Sequence, residues 1–284
     1  MELTGTGSAT ALSGVKLAIL GAGNMGKAIL AGALRAGVPA SNISVTTADD
    51  GAKPRLESKF GVNVAESNAE AVADADVVVV AVKPYQVAEV LSEVAPFLSR
   101  NSVVVSVAVG IDLATLQREA ALAGFVPHFV RAMPNTPAMV GQGITAFSPS
   151  DLVTDQQLEL AKAIFEGSGR VIVVPEKYQP AVGAISGSGP AYVAYFIDAL
   201  IEAGVHQGLP RDVATALAVG TFEGSAAMLR ETGDHPAVAR EKVTSPGGTT
   251  AAALAELDNS GVRAAIIRAV AAAIRRTKEI ATEG

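Results

Sequence analysis

Val15-Lys16-Leu17-Ala18-Ile19-Leu20-Gly21-Ala22-Gly23-Asn24-Met25-Gly26 runs a short apolar stretch straight into a Gly-x-Gly-x-x-Gly pattern, and a helix-forming segment, 25–34, follows at once. The pattern alone is weak evidence, but a strand before it and a helix after it are the context in which it reads as a dinucleotide-binding turn. Gly21 makes the tight turn, Gly23 admits the pyrophosphate to the backbone, and Gly26 packs helix on strand. The helix start offers its free N–H groups to the anion. Ala22, Asn24 and Met25 complete the set of turn residues expected to face the cofactor.

Outward from this unit the pattern repeats. Apolar runs at 42–47, 77–82, 102–107 and 126–130 alternate with helical stretches at 55–60, 85–97 and 113–123. Strand, helix, strand in succession predicts right-handed crossovers and a parallel sheet covered on both faces. Segments 143–148, 155–167 and 170–174 finish the sheet. After Pro175 the strand signals stop, and long Ala-rich helices are expected at 191–207, 211–231 and 261–280, with apolar stripes such as Val193/Phe196/Ile197/Leu200 that read as core. The fold class is α/β: an N-terminal Rossmann-type doubly wound parallel sheet over 14–174, then an all-helical domain over 175–284 that doubles as a dimerisation surface. Residues 1–13, small and polar without the basic and apolar regions of a secretory signal, are expected to be a disordered tail of a cytoplasmic protein.

Composition narrows the function. The 284 residues suffice for two domains, and 49% are hydrophobic against 18% charged, with a mean hydropathy of +0.36. No apolar run reaches bilayer length, since even 264–274 is broken by Arg268, so no membrane role is expected. The apolar excess must be buried in the fold or between subunits, which favours a homo-oligomer. A net charge of -6 without a dense Lys/Arg patch argues against a nucleic-acid partner. The absence of cysteine removes disulfides, thiol catalysis and Cys-ligated zinc. His128, His206 and His235 have no metal-ligand spacing, so no metal is expected and they read as structural or surface residues.

Five further segments carry chemistry. The second strand ends in Thr46-Thr47, whose hydroxyls can donate to a 2′-phosphate, whereas Asp49 and Asp50 just beyond would hold ribose hydroxyls of NAD or serve as plain turn residues. Ala81-Val82-Lys83-Pro84 and 106–110 sit at carboxyl ends of strands, which face the ligand crevice of an open α/β sheet; a solvated loop lysine is the alternative for Lys83. Arg131-Ala132-Met133-Pro134-Asn135-Thr136-Pro137 is either a rigid crevice loop or turn chemistry. Ser245-Pro246-Gly247-Gly248-Thr249-Thr250 combines a glycine pair, a proline and three hydroxyls, and Thr250 opens an Ala/Leu-rich run. Exposed N–H groups at such a helix start suit a carboxylate. The alternative is a helix capped by Ser or Thr with nothing bound.

The glycine fingerprint, Ala-Val-Lys-Pro at 81, Met-Pro-Asn-Thr-Pro at 133, Ser-Gly-Ser-Gly-Pro-Ala-Tyr at 186 and Val-Thr-Ser-Pro-Gly-Gly-Thr-Thr at 243 occur in an order that resembles pyrroline-5-carboxylate reductases, over essentially everything after Ser13. The last two motifs are the specific ones. The resemblance implies reduction of the cyclic imine 1-pyrroline-5-carboxylate to L-proline, the last step of proline biosynthesis, with NADP as cofactor and NAD as a second possibility. It places Asn68 near the adenosine ribose and lines the cofactor with Ala81, Val82, Lys83, Pro84, Val107, Ala108 and Val109, alongside Thr47, which the strand-end reading above already sets there. It implies interlocked dimers, in some members assembled into decamers. On this reading Thr250 hydrogen-bonds the ring nitrogen while Ser245, Gly247, Gly248 and Thr249 hold the carboxylate.

Two rivals stand beside it. A hydroxyacid dehydrogenase shares the domain pair, and Gly187-Ser188-Gly189 resembles its helix entrance, but the position of its acid/base lysine is Val193. A non-catalytic nucleotide-binding sensor would not need the Gly-Gly-Thr-Thr chemistry.

Overall fold

A computed structural model describes residues 12–283 other than 123 and 125. The chain divides into two compact units, residues to 187 with 274–284, and 188–273. The first contains β1 (Leu17–Leu20), α1 (Asn24–Ala36), β2 (Ile43–Thr46), α2 (Lys53–Phe60), β3 (Asn63–Val64), α3 (Asn68–Val72), β4 (Val77–Val80), α4 (Val87–Val94), β5 (Val103–Ser106), α5 (Leu113–Leu122), β6 (His128–Met133), β7 (Gly143–Pro149), α6 (Asp155–Glu166), β8 (Gly169–Val173) and α7 (Gln179–Val182). The eight strands are ordered β3-β2-β1-β4-β5-β6-β7-β8.

The central strands β1 and β4 are apolar and buried on every residue because both faces of the sheet are covered there. Leu17 and Ile19 point into one core layer with Ile29, Val77, Val103 and Phe165. Ala18 and Leu20 point into the other with Val78, Val104, Leu91 and Phe129. Successive side chains of a strand alternate faces, so a continuous Val/Ile/Leu run is what burial on both sides selects. Leu20 stands opposite both Thr46 and Val80, and Val80 opposite Ser106. Four loops, starting at residues 21, 47, 81 and 107, therefore leave the sheet along one edge. Strand order reverses at β1, and ligands of open α/β sheets bind in the crevice at such a switch point.

The sheet is parallel except at one junction, where β7 runs antiparallel to β6. The connection between them, residues 134–142, is too short for the crossover of a dozen or more residues that a parallel neighbour requires. Parallel pairing then resumes between β7 and β8, which α6 joins.

The expected domain junction at 174/175 differs from the division of the structure at 187/188. Buried Gln179 donates to the Ala146 carbonyl and to Ser148 Oγ, which fastens the chain after β8 to the sheet. The expected tail 1–13 lies outside the described residues up to 11, but Leu12 is buried in the first core layer and its carbonyl accepts from Val15 N–H.

The second unit carries α8 (Gly189–His206), α9 (Arg211–Thr232), α10 (Pro236–Lys242), α11 (Thr249–Asn259) and most of α12 (Val262–Glu283). Small residues let α8 and α9 pack closely: a Cβ on Gly204 would come within 3.1 Å of Ala214 Cβ. Its buried hydrophobic residues are Ala214, Ala218 and Ala239, while Tyr195, Leu200, Leu217, Leu257 and Ile267 are exposed. Three alanines are not a core, so this unit leaves its apolar side chains for a partner to cover. Among the described residues no helix is long and apolar enough to cross a membrane.

Candidate functional site

The chain leaves β1 through Gly21, whose φ of +99° is a left-handed conformation that a side chain would strain. A Cβ there would also come within 2.9 Å of the Ala81 carbonyl oxygen. The Gly21 and Ala22 N–H groups donate to the Thr46 carbonyl at 3.2 and 3.0 Å, fixing the turn to the end of β2. Gly26 lies buried beneath it, where a Cβ would sit 2.0 Å from the Gly21 oxygen. Gly23 is the N-cap of α1, without a side-chain cap and without an acidic residue in the first turn, and a Cβ on it would meet nothing within 4 Å. The open end of a helix thus carries an uncompensated positive dipole.

This helix end opens on a cavity of about 910 Å³ along the sheet edge described above. Of the residues expected to face a cofactor, Gly21, Ala22, Gly23, Asn24, Met25, Thr47, Asn68, Ala81, Val82, Lys83, Pro84, Val107, Ala108 and Val109 all line it. Gly26 does not, since its role is the packing of α1 beneath the turn. Sequence reasoning missed Lys27, Glu66, Ser67 and Glu93, which also line the cavity together with Thr46, the strand-end residue named beside Thr47. Thr46 and Asn68 meet there, Thr46 Oγ1 donating to Asn68 Oδ1 at 2.7 Å. A space lined from the β2 end to the β5 end, the bare N-terminus of α1 and the open side of Gly23 together fit a dinucleotide with its pyrophosphate on α1.

Charges of both signs surround the β2 end. Asp49 lines the cavity and lies 3.6 Å from Arg55, while Lys53 pairs with Glu66 at 3.0 Å and with Asp50 at 3.3 Å. Hydrogen bonds to Glu66 first, and then to Asp50, hold the Lys53 ammonium above its ordinary pKa. Glu66 is thereby partly neutralised, and Lys27 and Lys83 add positive charge along the wall. None of 131–137 lines the cavity. Arg131, within β6, pairs with Glu176 at 3.0 Å, and Asn135 Oδ1 accepts from the Ile144 N–H at 2.9 Å, fixing the turn after the strand.

The Ser245–Thr250 stretch belongs to the second unit. Gly247 takes φ +67°, and the Gly248 N–H donates to the Ser245 carbonyl at 3.0 Å, closing a tight turn after Pro246. Gly248 is the N-cap of α11, so the helix opens at Thr249, one residue before the expected Thr250. No side chain caps it, and its first turn holds no acidic residue. Among the described residues the hydroxyls of Ser245, Thr249 and Thr250 have no hydrogen-bond partner. The capping alternative is therefore not what these hydroxyls do. Two histidines have structural partners: His128 Nδ1 lies 2.7 Å from Gln157 Oε1, and His235 Nδ1 accepts from Ala237 N–H at the start of α10.

Comparison with known proteins agrees with this geometry. Residues 176–280 match the family model for pyrroline-5-carboxylate reductase dimerisation, and 16–110 match one described as NADP oxidoreductase coenzyme F420-dependent. The chain is 43% identical to a Corynebacterium melassecola pyrroline-5-carboxylate reductase, over 93% of its own length and 98% of that protein's. Its fold is similar to a Coxiella burnetii pyrroline-5-carboxylate reductase, with a TM-score of 0.88 and 36% identity over 93% of this chain and 98% of that one. It is also similar to Plasmodium falciparum pyrroline carboxylate reductase with NADP bound, with a TM-score of 0.83 and 30% identity, covering 95% of this chain and 99% of that one.

Proposed function

The chain belongs to the pyrroline-5-carboxylate reductase family, and from that premise we propose that it reduces 1-pyrroline-5-carboxylate to L-proline with NADPH, closing proline biosynthesis. The observation that carries the substrate reading is the loop 245–250: a glycine turn and an uncapped helix start, with three hydroxyls unclaimed by the fold. The cofactor, when bound, supplies the hydride. As hydride reaches the imine carbon, electron density moves onto the ring nitrogen, and Thr250 donates a hydrogen bond to it. The proton on that nitrogen would already have come from water before the hydride, because a cyclic imine is basic enough to hold it, so the amine is completed without a strong side-chain acid. Ser245 and the N–H groups of Gly247 and Thr249 hold the carboxylate, whereas the Gly248 N–H, expected to join them, is spent on the Ser245 carbonyl and shapes the turn instead; the α1 N-terminus holds the pyrophosphate. The residues' contribution is chiefly orientation. Neither rival reading has comparable support: an alcohol-carbonyl interconversion lacks its lysine at Val193, and a sensor would leave the 245–250 hydroxyls unused.

Steady-state oxidation of NADPH with the imine as second substrate tests the proposal, and no turnover by the folded protein would overturn it. The same assay carries a preference. Thr47, just past the end of β2, presents a hydroxyl that suits a 2′-phosphate, while the Thr46 hydroxyl is taken by Asn68, so kcat/KM with NADPH is expected to exceed that with NADH, with NADH still used. Equal or higher efficiency with NADH would reverse this.

The protein is a homo-oligomer built through its helical unit, whose three buried alanines cannot stabilise it alone. The proposed assembly is a dimer, or a decamer built of dimers, in the cytoplasm, with neither a nucleic-acid nor a membrane partner. Light scattering at micromolar concentration is expected to give a dimer or a multiple of it. A monomer would refute the buried-face argument.

A further inference from the structure

We propose that Glu93 is a positioning residue for the adenosine end of the cofactor, acting through Asn68; this rests on the NADPH reading above. Glu93 stands in the last turn of α4, where a carboxylate opposes the helix dipole and a basic residue would be favoured. What it does there is local and specific. Glu93 Oε2 accepts from Asn68 Nδ2 at 2.7 Å, and Glu93 Oε1 accepts from the Asn68 backbone N–H at 3.2 Å. Asn68 Oδ1 accepts from Thr46 Oγ1 at 2.7 Å, and Thr46 Oγ1 accepts from Gly21 N–H at 3.3 Å. The chain thus runs from α4 across the start of α3 and the end of β2 to the first glycine of the turn, and all four residues line the cavity.

Because a carboxylate only accepts, it sets the direction of every bond in this chain. The Asn68 amide nitrogen must face Glu93 and its oxygen must face Thr46, which commits the Thr46 proton to Asn68 and leaves Thr46 Oγ1 as acceptor for Gly21. One amide hydrogen of Asn68 then remains for the cavity, so Asn68 presents a donor to a phosphate or ribose oxygen. A glutamine at 93 could still accept from the Asn68 backbone N–H, but it can turn its own donor toward the side chain and allow the Asn68 amide to flip. The donor facing the cavity would then be replaced by an acceptor.

The test is calorimetric titration of NADPH into the folded enzyme, with melting temperature measured on the same samples. Glu93→Gln is expected to weaken binding about tenfold, the effect of one misdirected hydrogen bond, with little change in melting temperature. In an Asn68→Ala background the same substitution is expected to change affinity by less than about twofold, because the residue it acts through is gone. Three results would overturn the role of Glu93. Tighter NADPH binding by Glu93→Gln would mean that its charge acts directly on the phosphate. A lowered melting temperature with unchanged affinity would mean that it only caps α3. A full loss persisting without Asn68 would mean that it acts by another route. Failure of the wild-type protein to bind NADPH at all would instead overturn the cofactor reading itself.

Discussion

Gly23→Ala is expected to fold like the wild-type protein and to lose NADPH binding, whereas Gly26→Ala, three residues on, is expected to lose stability first. The two glycines belong to one motif but meet different surroundings. A Cβ on Gly23 would find nothing within 4 Å, so it would occupy the cavity at the bare end of α1. There it would hold the pyrophosphate off the helix N–H groups. Losing two charge-assisted hydrogen bonds of about 1.5 kcal/mol or more each corresponds to roughly a hundredfold in Kd or worse. The backbone at Gly23 is extended, with φ −70° and ψ −170°, so alanine fits, and a poorer N-cap costs under about 1 kcal/mol. A Cβ on Gly26 would sit 2.0 Å from the Gly21 carbonyl oxygen, and neither backbone can yield without reopening the turn. Overpacking of this kind costs about 3 kcal/mol at its upper end, which lowers the melting temperature by on the order of 10 °C. Titration calorimetry and thermal melts on both variants separate the roles. NADPH affinity retained in Gly23→Ala would show that the pyrophosphate does not lie on α1.

The β1 turn is legible in the sequence because its signal is local: apolar run, glycine spacing and helix follow one another in twelve residues. The same is true of the strand ends at Thr46, Val80 and Ser106, since loops after buried parallel strands share an edge by construction. β3 is not legible, because two residues, Asn63 and Val64, carry no periodicity. α3 does carry a usable signal. Ser67 stands three residues before Glu70, and Ser67 Oγ accepts from the Glu70 N–H. The turn-back from β6 to β7 is hidden because an apolar run does not state its direction; only the length of its connection does. Glu93 is out of reach for a different reason. On α4 it reads as one more solvated charge, and its meaning comes from Asn68, 25 positions earlier, which folding brings to it. The 245–250 loop is legible as chemistry, while the capping alternative falls only on the position of Gly248 as the N-cap.

The same cap position decides what Thr250→Val should do. Thr250 is the second residue of α11, not its cap, and its hydroxyl has no partner among the described residues. Valine is nearly isosteric, and the difference in helix propensity between the two residues is small, so melting temperature, assembly and NADPH affinity are expected to stay close to wild type. Catalysis is not. A hydrogen bond to the ring nitrogen strengthens as that atom gains electron density, so its loss falls on the transition state more than on the bound substrate. A bond of this charge-assisted kind is worth about 1.5 to 3 kcal/mol, which predicts a fall in kcat/KM of roughly ten- to a hundredfold, expressed mainly in kcat. Residual turnover is expected, because proximity and orientation survive the substitution. Gly247→Val should behave differently. Its φ of +67° strains a β-branched residue and its side chain would crowd the carboxylate, so KM should rise while melting temperature falls. Steady-state kinetics and thermal melts on the two variants therefore give opposite signatures. Unchanged kcat in Thr250→Val would remove the hydroxyl from the chemistry and leave the loop only the task of binding the carboxylate.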